Sequence, residues 1–395
     1  MKNVSKYMSA LEFGHLYFKT ISPVRPLNDI VIVTWYLFTF IDNEIFDIKT
    51  GKGLLIVKII HCADLHLGSR LTSLPAGEIR DARKNDILAS FDGLINYAND
   101  NGVQIIMFSG DVFDSDRPTK KDKAYFYSAI QSNPNIAFLY LKGNHDIEES
   151  LVENYDNLHT FSEKWASYKF EDAVISGSEL SSSNKTSLYS SLNLKKEDVN
   201  IVMMHGDINT KGKEHIDLSK LANKNIDYLA LGHIHSHSQT EIDSRGIAVY
   251  SGCLDGRGFD ELGEKGFIII EVNNKKISHQ FIPFSSRLVV EKEIDLSGVK
   301  NLYEAQAAVK AHAASLPSNA MVKIVLSGKV DFDIETIESD IESFIKGKFF
   351  FVKVESKLKQ IINAKKYQND FSLKGEFVRL ILSSEEYSQE EKDEI

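Results

Sequence analysis

The sequence predicts an α/β fold with an antiparallel tail, and two observations carry the prediction. From residue 57 onward, apolar runs of strand length alternate with stretches of helical periodicity. Short clusters of Asp, His and Asn follow those runs directly, which is where open α/β sheets place their sites.

VKII, from Val57, is a fully apolar strand. Residues 79–99 read as a helix, with Ile87, Phe91, Leu94, Ile95 and Ala98 at helical spacing. VQIIMFS is a second buried strand, and TKKDKAYFYSAIQ is an amphipathic helix with Thr119 as its cap. IAFLYL, NIVMM and IDYLAL are further buried strands, while IAVYS, GFIIIEV and KISHQFIPF close the region. Residues 148–198 are less regular, and the Ser-rich SGSELSSSNKTSLYSSL reads as a flexible surface excursion. Beyond residue 286 the order is strand (LVVEKEIDL), helix (NLYEAQAAVKAHAASL, ended by Pro317), strand (MVKIVLSGKV), helix (ETIESDIESFI) and strand (FFFVKVESK). The expected division is an amino-terminal extension over 1–56, a site-bearing domain over 57–285, a smaller α+β unit over 286–383 and an acidic tail over 384–395.

The chain has 395 residues, 43% hydrophobic and 26% charged, enough for two or three domains with a substantial core. A net charge of −10 argues against an avid standalone binder of nucleic acid. The two cysteines, Cys62 and Cys253, argue against a disulfide framework and fit a reducing cytoplasm, with Cys62 as plain core. The longest apolar run, IVIVTWYLFTFI at 30–41, is shorter than the roughly 20 residues that span a bilayer. The expected state is soluble and cytoplasmic, without membrane association.

Five motifs carry the chemistry: D-x-H (Asp64, His66), GDVFD (Asp111), GNHD (Asn144, His145), HGD (His205) and GHIH (His233, His235). A pair of divalent ions needs roughly eight protein bonds, one of them from a bridging carboxylate, and a position left for water. One D-x-H is common by chance; all five motifs in this order are not. Gly110 lets the backbone turn sharply so that the Asp111 carboxylate faces the ions, and a bridging Asp111 offsets their mutual repulsion. Carboxylate, amide and imidazole donors without thiolate suit Mn²⁺, with Fe and Zn as alternatives and Mg²⁺ disfavoured.

The motifs resemble the signature of the calcineurin-like metallophosphoesterases. KIIHCADLHLGS, MFSGDVFDSDRP, LKGNHD and YLALGHIH resemble the nuclease subunit of bacterial SbcCD-type DNA repair exonucleases. YSGCLDGRGFDELGEKGFIIIEV and SLKGEFVRLIL resemble the YhaO branch of that family. The resemblance implies a four-layer αββα sandwich, with residues 286–383 as a capping domain that helps select DNA. It implies that Asp64, His66, Asp111 and His235 hold one ion, and that Asp111, Asn144, His205 and His233 hold the other. His145 then lies outside the coordination shell and serves the transition state or the leaving oxygen. Asp114 supports a ligand from behind, and Asp146 orients His145 or a ligand, or caps its loop. His237 reads as a surface residue.

The implied function is a Mn²⁺-dependent DNA exonuclease and endonuclease subunit. It acts as a homodimer with a coiled-coil, SbcC-like ABC-type ATPase attached near residues 384–395. Arg70, Arg80, Arg83, Lys84, Arg117, Lys120, Lys121, Lys123 and Arg257 flank the motifs as candidate backbone contacts. The same motifs serve phosphodiesterases of small molecules and phosphoprotein phosphatases, and an inactive subunit docking an ATPase is a third alternative.

In proteins of this type the first strand begins at or near the amino terminus, whereas 56 residues precede it here. GKG at 51–53 has purine-rich codons and Val57 is encodable by GTG, so translation is expected to begin at Val57. The alternative is a genuine arm that adds a strand from residues 30–41.

Overall fold

The computed structural model describes residues 40–41, 44–47, 52–114, 118–146, 155–361, 370–388 and 392. In the extension, β1 (Phe40–Ile41), β2 (Glu44–Asp47) and β3 (Lys52–Leu55) form a separate antiparallel sheet. Residues 30–39 of the strand expected at 30–41 lie outside the described residues.

Two six-stranded sheets follow. The strands are β4 (Val57–Cys62), β5 (Ile105–Ser109), β6 (Ala137–Leu141), β7 (Leu158–Thr160), β8 (Ala166–Phe170) and β9 (Ala173–Gly177). They continue with β10 (Val199–His205), β11 (Tyr228–Gly232), β12 (Ser238–Glu241), β13 (Ile247–Tyr250), β14 (Gly266–Asn273) and β15 (Lys276–Pro283). One sheet runs β15-β14-β4-β5-β6-β7 and the other β12-β13-β11-β10-β9-β8. Strands β4 to β7 pair in parallel, as do β9, β10, β11 and β13; β14 and β15 add the predicted antiparallel tail.

Alternate residues of each strand face opposite layers, so strands covered on both faces are apolar throughout. Ile59, Ile105, Met107, Ile201, Met203, Tyr228 and Ile268 meet between the sheets. Their neighbours Ile60, Ile106 and Phe108 point outward onto Phe91 and Leu94 of helix Glu78–Asp100 and Phe126 and Ile130 of helix Lys120–Ser132. The second helix starts at Thr119, the predicted cap, which forms a capping box with Asp122.

The layers are therefore αββα, but the fourth is thin. It holds the four-residue helix Leu188–Ser191 and the single turn Leu218–Lys220. Leu188, Tyr189 and Leu192 bury against Val202, Met204, Leu229 and Leu231. This corrects the flexible excursion expected of the Ser-rich segment. Its serines close turns around Asn184, which donates to Glu163 O and Glu179 O, and those turns present the apolar side chains to the sheet.

Past residue 286, β16 (Val289–Asp295), β17 (Met321–Ser327) and β19 (Phe351–Ser356) form a parallel sheet, with the short pair β18 (Lys329–Val330) and β20 (Lys359–Gln360) beside it. Helices Leu302–His312 and Ile337–Ile345 cover it through Val309, Ile341, Val322, Ile324 and Val354, giving the predicted βαβαβ order. The unit joins the first through Val289 and Met321, and through Arg287, which pairs with Asp86 and stacks on Phe350 at 3.5 Å. Helix Leu373–Ser383, capped by Ser372, leaves Leu373, Phe377 and Leu380 exposed. Among the described residues no helix is long and apolar enough to cross a membrane.

Candidate metal centre

The five motifs converge at one end of the facing sheets, on the loops after β4, β5, β6, β10 and β11. Four of their residues adopt left-handed backbone: Asp64 (φ 52°), His66 (46°), Asp111 (52°) and His233 (103°). Such conformations cost energy for non-glycine residues and persist where the surroundings enforce them. Here Asp64 N donates to Gly110 O and His66 N to Asp111 O, both at 3.0 Å, while His233 N donates to the Asp64 carboxylate at 3.0 Å. Gly110 (φ 96°) makes the expected turn, and Gly143 has no room for a Cβ, which would lie 2.2 Å from Asp111 Oδ1.

Two groups of donors form around Asp111. On one side His66 Nε2 and His235 Nε2 lie 3.1 Å apart, with Asp64 within reach of both. On the other, His205 Nε2 and His233 Nδ1 lie 3.0 and 3.2 Å from Asn144 Oδ1. Asp111 Oδ2 stands between the groups, 3.4 Å from His205 Nε2 and 3.9 Å from His66 Nε2. All seven sequence-predicted ligand residues are thus in one place. His145 joins them, its ring edge-on to His66 at 5.2 Å and its Nδ1 3.2 Å from Asp114 O.

Partners behind the imidazoles fix which nitrogen faces inward. His205 Nδ1 lies 2.9 Å from Ser109 O, and His235 Nδ1 lies 2.7 Å from Glu261 Oε1. His66 Nδ1 is 3.2 Å from Asp114 Oδ1. Each leaves Nε2 for the centre. Asp114 lies behind His66, at ion-pair distance from its Nδ1. Asp146 does something different: its buried carboxylate accepts from Val112 N, Phe113 N and Gly143 N, tying the GDVFD and GNHD loops together rather than orienting His145.

Burial raises the Asp64 carboxyl despite the nearby histidines. Burial also opposes charge on Asp111, but His205, the His145 amide and His66 hold its carboxyl far below the usual range. Burial lowers His205, yet its hydrogen bond and attraction to Asp111 push it up to about 9. Asp64 and Asp111 are nearly inaccessible, and among the described residues neither pairs with a lysine or arginine. Buried carboxylates in that position call for cationic compensation, and this donor set is one that divalent ions take. Three groups of donors are each close enough to hold an ion: Asp64, His66 and His235; Asp64, Asp111 and His205; and His66, Asp111 and His145, so that His145 stands within reach of the centre as well.

A cleft of about 760 Å³ opens beside this centre, lined by Asn144 and His205 and by Lys142, Lys185 and Lys213. The basic residues expected at a substrate divide. Arg83 is fully buried, bonded to Asp255 and Gly256 O, so it serves packing and not DNA. The sequence misled there because a basic residue on a helix looks exposed until its distant partner is known. Arg80 donates to Leu74 O, and Arg257 to Glu261 and Asp114. Arg70, Lys84, Lys120 and Lys121 are exposed, Lys123 is half-buried, and Arg117 lies outside the described residues. His237 is exposed, stacked on Phe281. The sequence reading missed Glu261 and the buried Lys265, which donates to His235 O at 2.7 Å; the only signal was their place just after the last motif.

Residues 57–237 match the calcineurin-like phosphoesterase family. The DNA double-strand break repair protein Mre11 of Sulfolobus acidocaldarius is 24% identical over 263 residues, which cover 60% of this chain and 67% of that protein. The metallophosphoesterase YhaO of Bacillus subtilis is 26% identical over 313 residues, covering 72% of this chain and 76% of its own. Mre11 of Thermoplasma acidophilum is 24% identical over 312 residues, covering 72% and 80%. The match to the calcineurin-like phosphoesterases thus falls on the segment that carries the paired sheets and the converging donors.

Proposed function

We propose that this protein is a Mn²⁺-dependent DNA exonuclease and endonuclease subunit that hydrolyses phosphodiester bonds in DNA repair. The observation that carries the hydrolytic reading is the position of Asp111 between two groups of donors. Asp64, His66, Asp111 and His235 would hold one ion, and Asp111, Asn144, His205 and His233 the other. Such a pair supplies an activated water and polarises the phosphate.

The side chains do the rest. Ser109 O and Glu261 engage the Nδ1 atoms of His205 and His235, and Asp114 lies 3.2 Å from that of His66, so the Nε2 atoms stay directed at the centre. Asp146 holds the two loops in register. His145, with Nδ1 against Asp114 O, keeps Nε2 available to pass a proton to the departing sugar oxygen. The relatives named for DNA double-strand break repair favour DNA as substrate.

In this reading residues 286–383 cap the nuclease domain 57–285 and help select DNA, and the chain works in the cytoplasm as a homodimer with a coiled-coil ABC-type ATPase. Attachment is better assigned to helix Leu373–Ser383, with its exposed apolar face, than to the acidic segment 384–395. The test compares a labelled DNA duplex with bis-(p-nitrophenyl) phosphate in Mn²⁺. Preferential cutting of the duplex is expected. Turnover of the small diester alone would move the substrate to a small molecule.

A further inference from the structure

Arg257 occupies a place that neither the motifs nor the proposed ligand set explains. Asp114 Oδ1 backs His66 Nδ1 at 3.2 Å, and Glu261 Oε1 backs His235 Nδ1 at 2.7 Å. The guanidinium of Arg257 joins these two supports. Its Nε and Nη2 donate to the same Glu261 oxygen at 2.9 and 2.7 Å, and its Nη1 donates to the same Asp114 oxygen. The Arg257 amide also donates to the other Glu261 oxygen at 2.6 Å. His66 and His235 are the two imidazoles whose Nε2 atoms face each other at 3.1 Å.

We propose that Arg257 is a positioning residue for one of the two ions, acting through Asp114 and Glu261 to aim His66 and His235 at a common point. The inference rests on the two-ion reading of the centre. A planar guanidinium fork is well shaped for this, because it fixes two carboxylates at once, which the single point charge of lysine does not. Three of its five N–H donors are committed to those carboxylates, and its Nη2 lies 3.4 Å from His235 Nδ1 itself. Its charge also offsets two carboxylates, one of them buried, that would otherwise repel each other behind the same ion. In the other group, Ser109 O holds His205 and is not among the partners of Arg257, whereas His233 N donates to the Asp64 carboxylate of the first group. The effect of Arg257 therefore falls mainly on the ion that His66 and His235 would hold.

Mn²⁺ titration of the full chain tests this without substrate. The wild type is expected to take up two ions. Arg257→Gln should weaken one of them by about tenfold or more, the usual effect of losing such a support, while the other keeps its affinity. Arg257→Lys should fall between the two, and it substitutes for the glutamine variant if that variant does not fold. Unchanged affinity for both ions, with only KM for a phosphodiester raised, would make Arg257 a substrate contact and overturn the proposal. Equal weakening of both ions with a lowered Tm would make it a general packing residue and also overturn it. A wild type that binds no Mn²⁺ would instead remove the metal reading on which this stands.

Discussion

His66 and His235 are 169 residues apart in the chain, yet their Nε2 atoms lie 3.1 Å from each other. Two strands from different sheets deliver them: His66 follows β4 and His235 follows β11. The isolated bridge between Ala63 and Cys253, and Cys253 N donating to His235 O, stitch the two loops together. The two nitrogens are within hydrogen-bond distance of each other, and both belong to a group of donors able to hold an ion.

His145 is expected to act on the reaction and not on the ions. His145→Ala should slow turnover by about 100-fold or more, the range of a lost general acid, with both ions retained. Metal analysis of the purified variant checks the assignment. Loss of an ion, or unchanged turnover, would place His145 elsewhere.

Gly143→Ala should injure the centre through space alone. The added Cβ would meet Asp111 Oδ1 at 2.2 Å and Asp111 N at 2.5 Å, so the bridging carboxylate has to move. The expected stability cost is about 1–3 kcal/mol, as for other overpacked sites, with a larger proportional loss of metal affinity. Thermal unfolding and Mn²⁺ titration of the same preparation separate the two effects. A variant with wild-type affinity would show that the loop yields freely.

His61 makes stability depend on acid. It lies between the sheets, with Nδ1 2.9 Å from Tyr228 Oη, and burial lowers its pKa to about 3 against the opposing effect of the Leu231 backbone. The folded pKa lies below the unfolded value of 6.5, so the unfolded chain takes up the proton first. The contribution is complete above pH 6.5 and is lost as pH falls toward 3, to a total on the order of 5 kcal/mol. Urea unfolding with a chelator present, between pH 7 and 4, should be steeper in pH for the wild type than for His61→Gln. Parallel profiles would mean that His61 protonates in the fold without cost.

Much of this was legible in the chain. The ligand motifs are local: each places a donor at the last residue of a buried strand or within three residues after it, and strand burial shows as an unbroken apolar run such as IIMFS. The βαβαβ order past residue 286 was legible for the same reason. Arg83, Arg257 and Glu261 were not, because their roles depend on partners brought by tertiary contact. Arg83 meets Asp255 across 172 residues, and Arg257 meets Asp114 across 143. The Ser-rich segment misled because three apolar residues decide its fate while the serines dominate its composition.

The exposed face of helix Leu373–Ser383 predicts where a partner docks. Leu373, Phe377 and Leu380, at helical spacing, are 89%, 50% and 60% exposed. If the proposed coiled-coil ATPase docks there, replacing all three with serine should abolish co-purification with it while leaving Mn²⁺ uptake intact. Removing 384–395 should weaken the complex less. A complex that survives the triple change but not the truncation would return the attachment to the acidic tail.

The central claim is that one carboxylate serves two ions. Metal content of the wild type and of Asp111→Asn, measured after equilibration with Mn²⁺ and alongside hydrolysis of a labelled DNA duplex, tests it most directly. The account predicts two ions per wild-type chain, and in the variant weakened binding of both together with loss of hydrolysis. A variant that holds one ion at wild-type affinity, or that still cuts the duplex at the wild-type rate, would contradict it.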